Sequence, residues 1–276
     1  LPPAFVQGVL QERGDSGRQW LERLPERAAH YLREWNLRWD GLLHHGYLGV
    51  VLLVEGAALK LTWVDPETRR EAEALELWNG RGAARLFKAV PEQGVLLLER
   101  LQAERSLEQV EIQAATRIAA GLLRQLAVPV GPEWEDGQVQ EQARLARQRW
   151  DMLGEPFPLD WIECPGGPSQ GLFVHQDLHF GNVLAAERTD WLAIDPKVIR
   201  GDLEFGVAPL LWNRTDQGQR ESRFDWIVEQ ARLEPVRALQ WLRFRAAEYC
   251  LWAWSKGLDQ VPRDLAAWAA ARLSVE

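Results

Sequence analysis

The stretch that most constrains this chain runs from Val174 to Leu184, Val-His-Gln-Asp-Leu-His-Phe-Gly-Asn-Val-Leu, and is followed by Trp191-Leu-Ala-Ile-Asp-Pro-Lys197. Short apolar runs at Val183–Ala185 and Trp191–Ile194 read as two strands around a turn at Glu187–Asp190, with Asn182 and Asp195 at their ends. An aspartate at 177, an amide five positions later and a second carboxylate beyond the next apolar run form one inventory. Asn182 and Asp195 offer hard oxygen ligands suited to Mg²⁺, and Asp177 offers a carboxylate to take or orient a hydroxyl proton. This is what phosphoryl transfer requires, because the group in flight is chiefly charge to be positioned and neutralised.

The same residues admit a second chemistry. His175, Asp177 and His179 form H-x-D-x-H, a pattern that suits zinc or iron in a hydrolase. Such a site needs further imidazoles, and only His30, His44 and His45 remain. His175 is instead expected to brace the loop. Lys197 stands two residues past Asp195, where it can reach a phosphate or substrate group or serve as an exposed turn lysine.

Upstream, the pattern first reads as helix. Apolar residues from Phe5 to Trp35 recur at three-and-four spacing over 3–36, with Pro25 expected to kink or restart the helix. Strand-like runs follow at 37–39, 47–54 and 57–63, the last two joined by Glu55-Gly56. Gly46 and Gly49 admit two readings, glycines that let backbone approach a phosphate or strand-end and bulge chemistry, and no GxGxxG or GxxxxGK[ST] accompanies them. Lys60 interrupts the apolar alternation of the third strand. Asp65-Pro66 signals a helix start, and Glu71 on that helix, with Glu73 as alternate, is the expected partner of Lys60. Such a pair steers the α- and β-phosphates of a nucleotide.

Strands at 85–90 and 95–98 precede Glu99-Arg-Leu101, where the chain leaves the sheet. Backbone groups at Glu99 and Leu101 are expected to meet the adenine edge. Ser106 and Glu108 open a helix to about 126, another fits 137–153, and prolines and glycines make 154–171 a loop. After Gly201-Asp202 a helix is expected at 205–212, and three more at about 217–231, 234–257 and 262–274. The fifteen tryptophans are spread from end to end at core-like positions and read mostly as packing.

A net charge of −8 and a pI near 5.3 argue against nucleic acid as the main partner, since phosphate neutralisation needs a basic face. Cys164 and Cys250 lack zinc spacing and cannot build a disulfide framework, so free thiols in a reducing, cytoplasmic compartment are expected. Leu1–Val6 carry no secretory signature and no apolar run approaches roughly 18 residues, so neither export nor a membrane span is expected. A monomer is the expected state.

With these residues in view, the chain resembles the aminoglycoside phosphotransferases, and within them the streptomycin 6-phosphotransferase and hydroxyurea phosphotransferase branch. The likeness rests on His175-x-Asp177-Leu-His-x-Gly-Asn182-Val-Leu, Trp-Leu-Ala-Ile-Asp195-Pro-Lys197 and Gly201-Asp202. It extends to Leu1-Pro-Pro-Ala-Phe5, Leu59-Lys-Leu61, Glu71, Gly80-Arg-Gly-Ala-Ala-Arg-Leu86 and Leu96-Leu-Leu-Glu-Arg-Leu101. The resemblance implies an α+β, two-lobed protein-kinase-like fold: a β-rich N-lobe over 1–101, a hinge near 99–104 and a mainly helical C-lobe over 102–276. It implies Mg²⁺ and ATP or GTP, with Lys60 and Glu71 as the phosphate-binding pair, Asp177 as base, and Asn182 and Asp195 as metal ligands. The implied acceptor is a hydroxyl of an aminoglycoside such as streptomycin, with hydroxyurea or an amino sugar, or a non-catalytic binding module, as alternatives. Asp202, Asp225 and Glu248 are carboxylates available for a cationic acceptor. Departures from the family pattern fall on the acceptor side: Gln176 where Gly is usual, Val198 for Gly, Leu203 for Pro and Gly206 for an acidic residue.

Overall fold

A computed structural model describes residues 1–66, 68–134, 137–258 and 262–274. The chain divides into two compact units, Leu1–Gln102 with Ala185–Asp190, and Ala103–Leu184 with Trp191–Glu276.

The first unit opens with helix α1 (Pro3–Glu34), followed by strands β1 (Trp39–His45), β2 (Gly49–Val54) and β3 (Ala57–Thr62). Helix α2 (Glu71–Trp78) then leads to β4 (Leu86–Val90) and β5 (Val95–Glu99). The five strands lie in the order β1-β2-β3-β5-β4, each pair antiparallel. Because side chains alternate along a strand, Val50, Leu52 and Val54, Leu59 and Leu61, and Val95 and Leu97 share one face. They pack there with Phe5, Val9, Leu21, Leu24 and Tyr31 of α1 in a single buried cluster. Lys60, one residue out of phase, falls on the opposite face between Val51 and Leu96.

Three boundaries differ from the sequence expectation. The break in α1 is at Gly14 (φ 55°, ψ −132°), whereas Pro25 sits inside the helix. Glycine reaches that conformation without a Cβ clash, so the chain turns there first. The first strand is 39–45 rather than 37–39. Asp65 does not cap α2: its carboxylate accepts from the Thr68 amide (3.1 Å) and from Arg13 (2.7 Å), shaping a turn, and the helix begins at Glu71.

The second unit takes in β6 (Gln102–Ser106), α3 (Ile112–Leu126), β7 (Val128–Pro129), α4 (Gln138–Met152) and β8 (Leu172–His175). Next come β9 (Val183–Ala185), β10 (Trp191–Ala193), β11 (Val198–Gly201), α5 (Pro209–Trp212), α6 (Arg220–Ala231), α7 (Pro235–Ser255) and α8 (Arg263–Leu273). Its strands form two three-stranded sheets, β10-β9-β6 and β11-β8-β7. The helix expected from Ser106 has two starts. Ser106 and Gln109 close a capping box over a short 3-10 turn, and the Glu111 carboxylate then accepts from the Gln113 and Ala114 amides to open α3. One strand was not foreseen, and one expectation changes. Val198–Gly201 is a strand paired with β8, and the expected helix 205–212 is a 3-10 turn over Leu203–Val207 followed by α5, which restarts at Pro209 because that residue has no N–H to continue a ladder. Both cysteines are free thiols; burial pushes the thiol of Cys250 up to about 12. Among the described residues no helix is long and apolar enough to cross a membrane.

Candidate active site

In the first unit, the out-of-phase position of Lys60 aims its side chain at the start of α2. Its Nζ donates to both carboxylate oxygens of Glu71, at 2.6 and 2.7 Å, and the two side chains are 9% and 2% exposed. Of the two glutamates offered by the sequence, Glu71 is buried and takes the lysine, whereas Glu73 is exposed and lies near Arg70. A buried charge pair of this kind survives because each ion is the other's solvent. Gly49 serves strand pairing: a Cβ there would stand 3.1 Å from the Thr62 hydroxyl and 3.2 Å from the Leu61 carbonyl. Glu99 ends β5 with its amide on the Arg85 carbonyl (2.8 Å) and its carboxylate on Arg188 Nε (2.7 Å) and the Arg85 amide (3.0 Å). Leu101 lies between β5 and β6, half-buried.

In the second unit, β8 delivers a loop that is almost wholly fixed by its own hydrogen bonds. His175 is fully buried and neutral. Its Nδ1 accepts the Asp177 amide (3.2 Å), so its Nε2 carries the proton, which is directed at the Ile194 carbonyl (3.3 Å). Burial depresses its pKa from 6.5 to about 4. The ring therefore ties the loop to the residue preceding Asp195. The Gln176 amide bonds the Lys197 carbonyl (2.8 Å), closing the same frame from the other side. Within the loop, the Asp177 carbonyl accepts the His179 amide and the side-chain Nδ2 of Asn182, both at 2.9 Å, and the Asn182 carbonyl accepts the Ile194 amide at 2.9 Å. With Nδ2 so engaged, Asn182 has its Oδ1 left as an acceptor. Asp195 sits in the left-handed region (φ 51°), a conformation open to aspartate that reverses the chain after β10.

This frame tests the alternatives. His179 Nδ1 accepts the Gly181 amide (3.1 Å), and with His175 held at both nitrogens the H-x-D-x-H imidazoles are engaged by backbone. Among the described residues no group of three or more His, Cys, Asp or Glu side chains could hold a metal ion. The Asn182 amide oxygen and the Asp195 carboxylate do fit Mg²⁺, which keeps several waters and takes few protein ligands.

Lys197 is the residue that sequence reasoning undervalued. Its Nζ lies 2.9 Å from Asp177 Oδ2, with the two side chains 30% and 25% exposed. The clue was in its spacing from Asp195, but nothing local separates a turn lysine in water from one on a carboxylate. Asp202 corrects an expectation. It is 1% exposed, and it accepts the Gln170 amide (2.8 Å), Arg237 Nε (2.7 Å) and Trp241 Nε1 (2.7 Å), which leaves it structural rather than open to a ligand. Glu248 is paired with Arg149 at 3.2 Å, and Asp225 is exposed. Gly206 packs where a Cβ would meet the Leu123 side chain at 2.4 Å and the His175 carbonyl at 3.2 Å, so an acidic residue has no room behind the loop.

A carboxylate paired with a lysine, an amide oxygen and a second carboxylate in the second unit, and a buried strand lysine held by a helix glutamate in the first, suit a phosphotransferase of the protein-kinase-like class. The fold agrees: the GDP complex of aminoglycoside 2'-phosphotransferase-IIIa superposes with a TM-score of 0.55, covering 90% of this chain and 96% of that one at 12% identity. More specifically, the model of the aminoglycoside/hydroxyurea antibiotic resistance kinase family matches residues 34–137 and 164–257, and the chain belongs to that family. It is 38% identical to hydroxyurea phosphotransferase of Kitasatospora aureofaciens, covering 95% of this chain and 82% of that protein. It is 34% identical to streptomycin 6-kinase of Streptomyces glaucescens, covering 91% and 90% respectively.

Proposed function

We propose that this protein transfers the γ-phosphoryl group of ATP or GTP to a hydroxyl of an aminoglycoside such as streptomycin. The observation that carries the reading is the loop frame around His175, which fixes the backbone of Asp177 and Asn182 to the chain preceding Asp195. Lys60, fixed by Glu71, takes the α- and β-phosphates. The Glu99 carbonyl and the Leu101 peptide meet the edge of the donor base. Asn182 Oδ1 and the Asp195 carboxylate hold magnesium, whose charge, when it is bound, screens the phosphate oxygens.

Asp177 orients the acceptor hydroxyl. As that oxygen bonds to the γ-phosphorus, the bond from phosphorus to the bridging β–γ oxygen breaks, the nucleoside diphosphate leaves, and the acceptor proton passes to the Asp177 carboxylate. Lys197, 2.9 Å from its Oδ2, holds that carboxylate in place before substrate arrives. Hydroxyurea is the second acceptor reading, favoured by the 38% identity to a relative of that name.

The decisive experiment is a transfer screen with Mg²⁺-ATP and Mg²⁺-GTP over streptomycin, other aminoglycosides, amino sugars and hydroxyurea, with products identified by mass spectrometry. Phosphorylated streptomycin is the expected product. Transfer to hydroxyurea alone selects the second reading, and no transfer to any acceptor overturns both.

A further inference from the structure

Arg245, Tyr249 and Trp252 fall at i, i+4 and i+7 on α7 and so share one face of that helix. Arg245 fixes where the face lies. Its guanidinium, buried, donates to the Gln176 carbonyl (3.3 Å) and side-chain oxygen (3.4 Å), one residue before Asp177, and stacks 5.5 Å from the Trp212 ring centroid. One turn further along α7, the Tyr249 ring lies 5.3 Å from Trp212 at a tilt of 31°, and 5.4 Å from Trp252 at 38°. Core rings nearby meet edge to face instead: Phe205–Trp241 at 67° and Trp241–Phe244 at 84°. The Trp212, Tyr249 and Trp252 rings thus form a chain of tilted contacts, with Tyr249 36% exposed and both tryptophans half-buried. The Tyr249 hydroxyl is raised from its ordinary pKa chiefly by burial, with Cys250 and then Asp177 adding to it.

We propose that Trp212, Tyr249 and Trp252 form the floor of the acceptor site, and that this floor selects a multi-ring cationic acceptor, an aminocyclitol glycoside bearing guanidino or amino groups, over a small neutral one such as hydroxyurea. The proposal rests on the phosphotransferase reading above. Two ring-to-ring steps of 5.3 and 5.4 Å make a surface that a molecule of hydroxyurea's size covers for one ring only. Aromatic faces attract cations through the ring quadrupole and pack against the C–H faces of sugar rings. The protein already displays the mode, with Arg245 lying over Trp212. Gln142 adds a polar edge: its Nε2 donates to Gln176 Oε1 (3.1 Å), and its buried Oε1 has no hydrogen-bond partner, an acceptor suited to a ligand N–H.

The test compares Tyr249→Ala, Trp252→Ala and the conservative Tyr249→Phe and Trp252→Phe with the parent protein, using streptomycin and hydroxyurea as probes. Loss of one ring face is expected to raise the KM for streptomycin roughly 10-fold, with kcat and the nucleotide KM nearly unchanged and the Phe variants close to the parent. The KM for hydroxyurea should rise by much less than that for streptomycin. A second arm titrates streptomycin calorimetrically into Asp177→Asn protein with and without the alanine changes, a readout that needs no turnover. If the parent phosphorylates streptomycin and the alanine variants keep its KM, the floor is overturned while the activity stands. If no acceptor is phosphorylated, the activity is overturned. Ring-dependent streptomycin binding would then still support the floor, and absent binding to the parent rings would overturn it too.

Discussion

The two carboxylate–lysine pairs of this protein have nearly the same length and opposite surroundings. Lys60 and Glu71 meet at 2.6 Å with side chains 9% and 2% exposed, whereas Lys197 and Asp177 meet at 2.9 Å with 30% and 25% exposed. In the first, each charge has given up water and depends on its partner, so the pair acts as a fixed clamp. In the second, water screens the attraction and can replace either ion, so the pair can open. Similar contact distances therefore mark a permanent element in one unit and an exchangeable one in the other.

The largest expected effect is on the exchangeable side. Asp177→Asn should lower kcat by about 10²- to 10⁴-fold while nucleotide binding, read by calorimetry, persists; full turnover in that variant would remove Asp177 from the proton path. Next comes the clamp. Glu71→Ala takes the carboxylate away from buried Lys60 and should cost about 3–5 kcal/mol in urea unfolding, whereas the double change Lys60→Met, Glu71→Leu should recover most of the stability without restoring nucleotide binding. Equal loss in the single and double variants would contradict the clamp.

A third prediction concerns the frame behind the exchangeable pair. His175 is neutral in the fold with a pKa of about 4, while the unfolded chain takes up its proton near 6.5. Its contribution is therefore complete above pH 6.5 and lost as pH falls toward 4, by about 3 kcal/mol. Urea midpoints measured across that range should fall less steeply in His175→Asn. The smallest effect belongs to Lys197→Ala, which should change stability by no more than about 1 kcal/mol. It should lower kcat less than Asp177→Asn, and a destabilisation like that of Glu71→Ala would erase the distinction between the pairs.

How far each feature was legible follows from how local its cause is. The meeting of Lys60 with Glu71 could be read because strand alternation isolates one lysine and the next helix supplies the carboxylate. The α+β division, a sheet-rich first part and helical second, was visible in the change from period-2 to helical spacing. Asp202 could not be read correctly, because Arg237 and Trp241, which consume its acceptors, lie 35 and 39 positions away. The same applies to Arg245, whose bonds to Gln176 span 69 positions. Gly14 and Pro25 show a subtler limit: proline is the stronger helix breaker by rule, yet glycine, free to take φ 55°, is where α1 breaks.

The bond from Asn182 Nδ2 to the Asp177 carbonyl has a consequence for which side chains position 182 can hold. Aspartate has the same shape and would bring a full negative charge to the oxygen side, but it would set a carboxylate oxygen against the carbonyl oxygen of Asp177. Alanine loses both groups, serine offers a single short hydroxyl where a donor and an acceptor on separate atoms are needed, and glutamine carries its amide one methylene too far. Only a short side chain with a donor at one end and an acceptor at the other satisfies both directions, so tolerance at 182 is governed by polarity order rather than by charge or size.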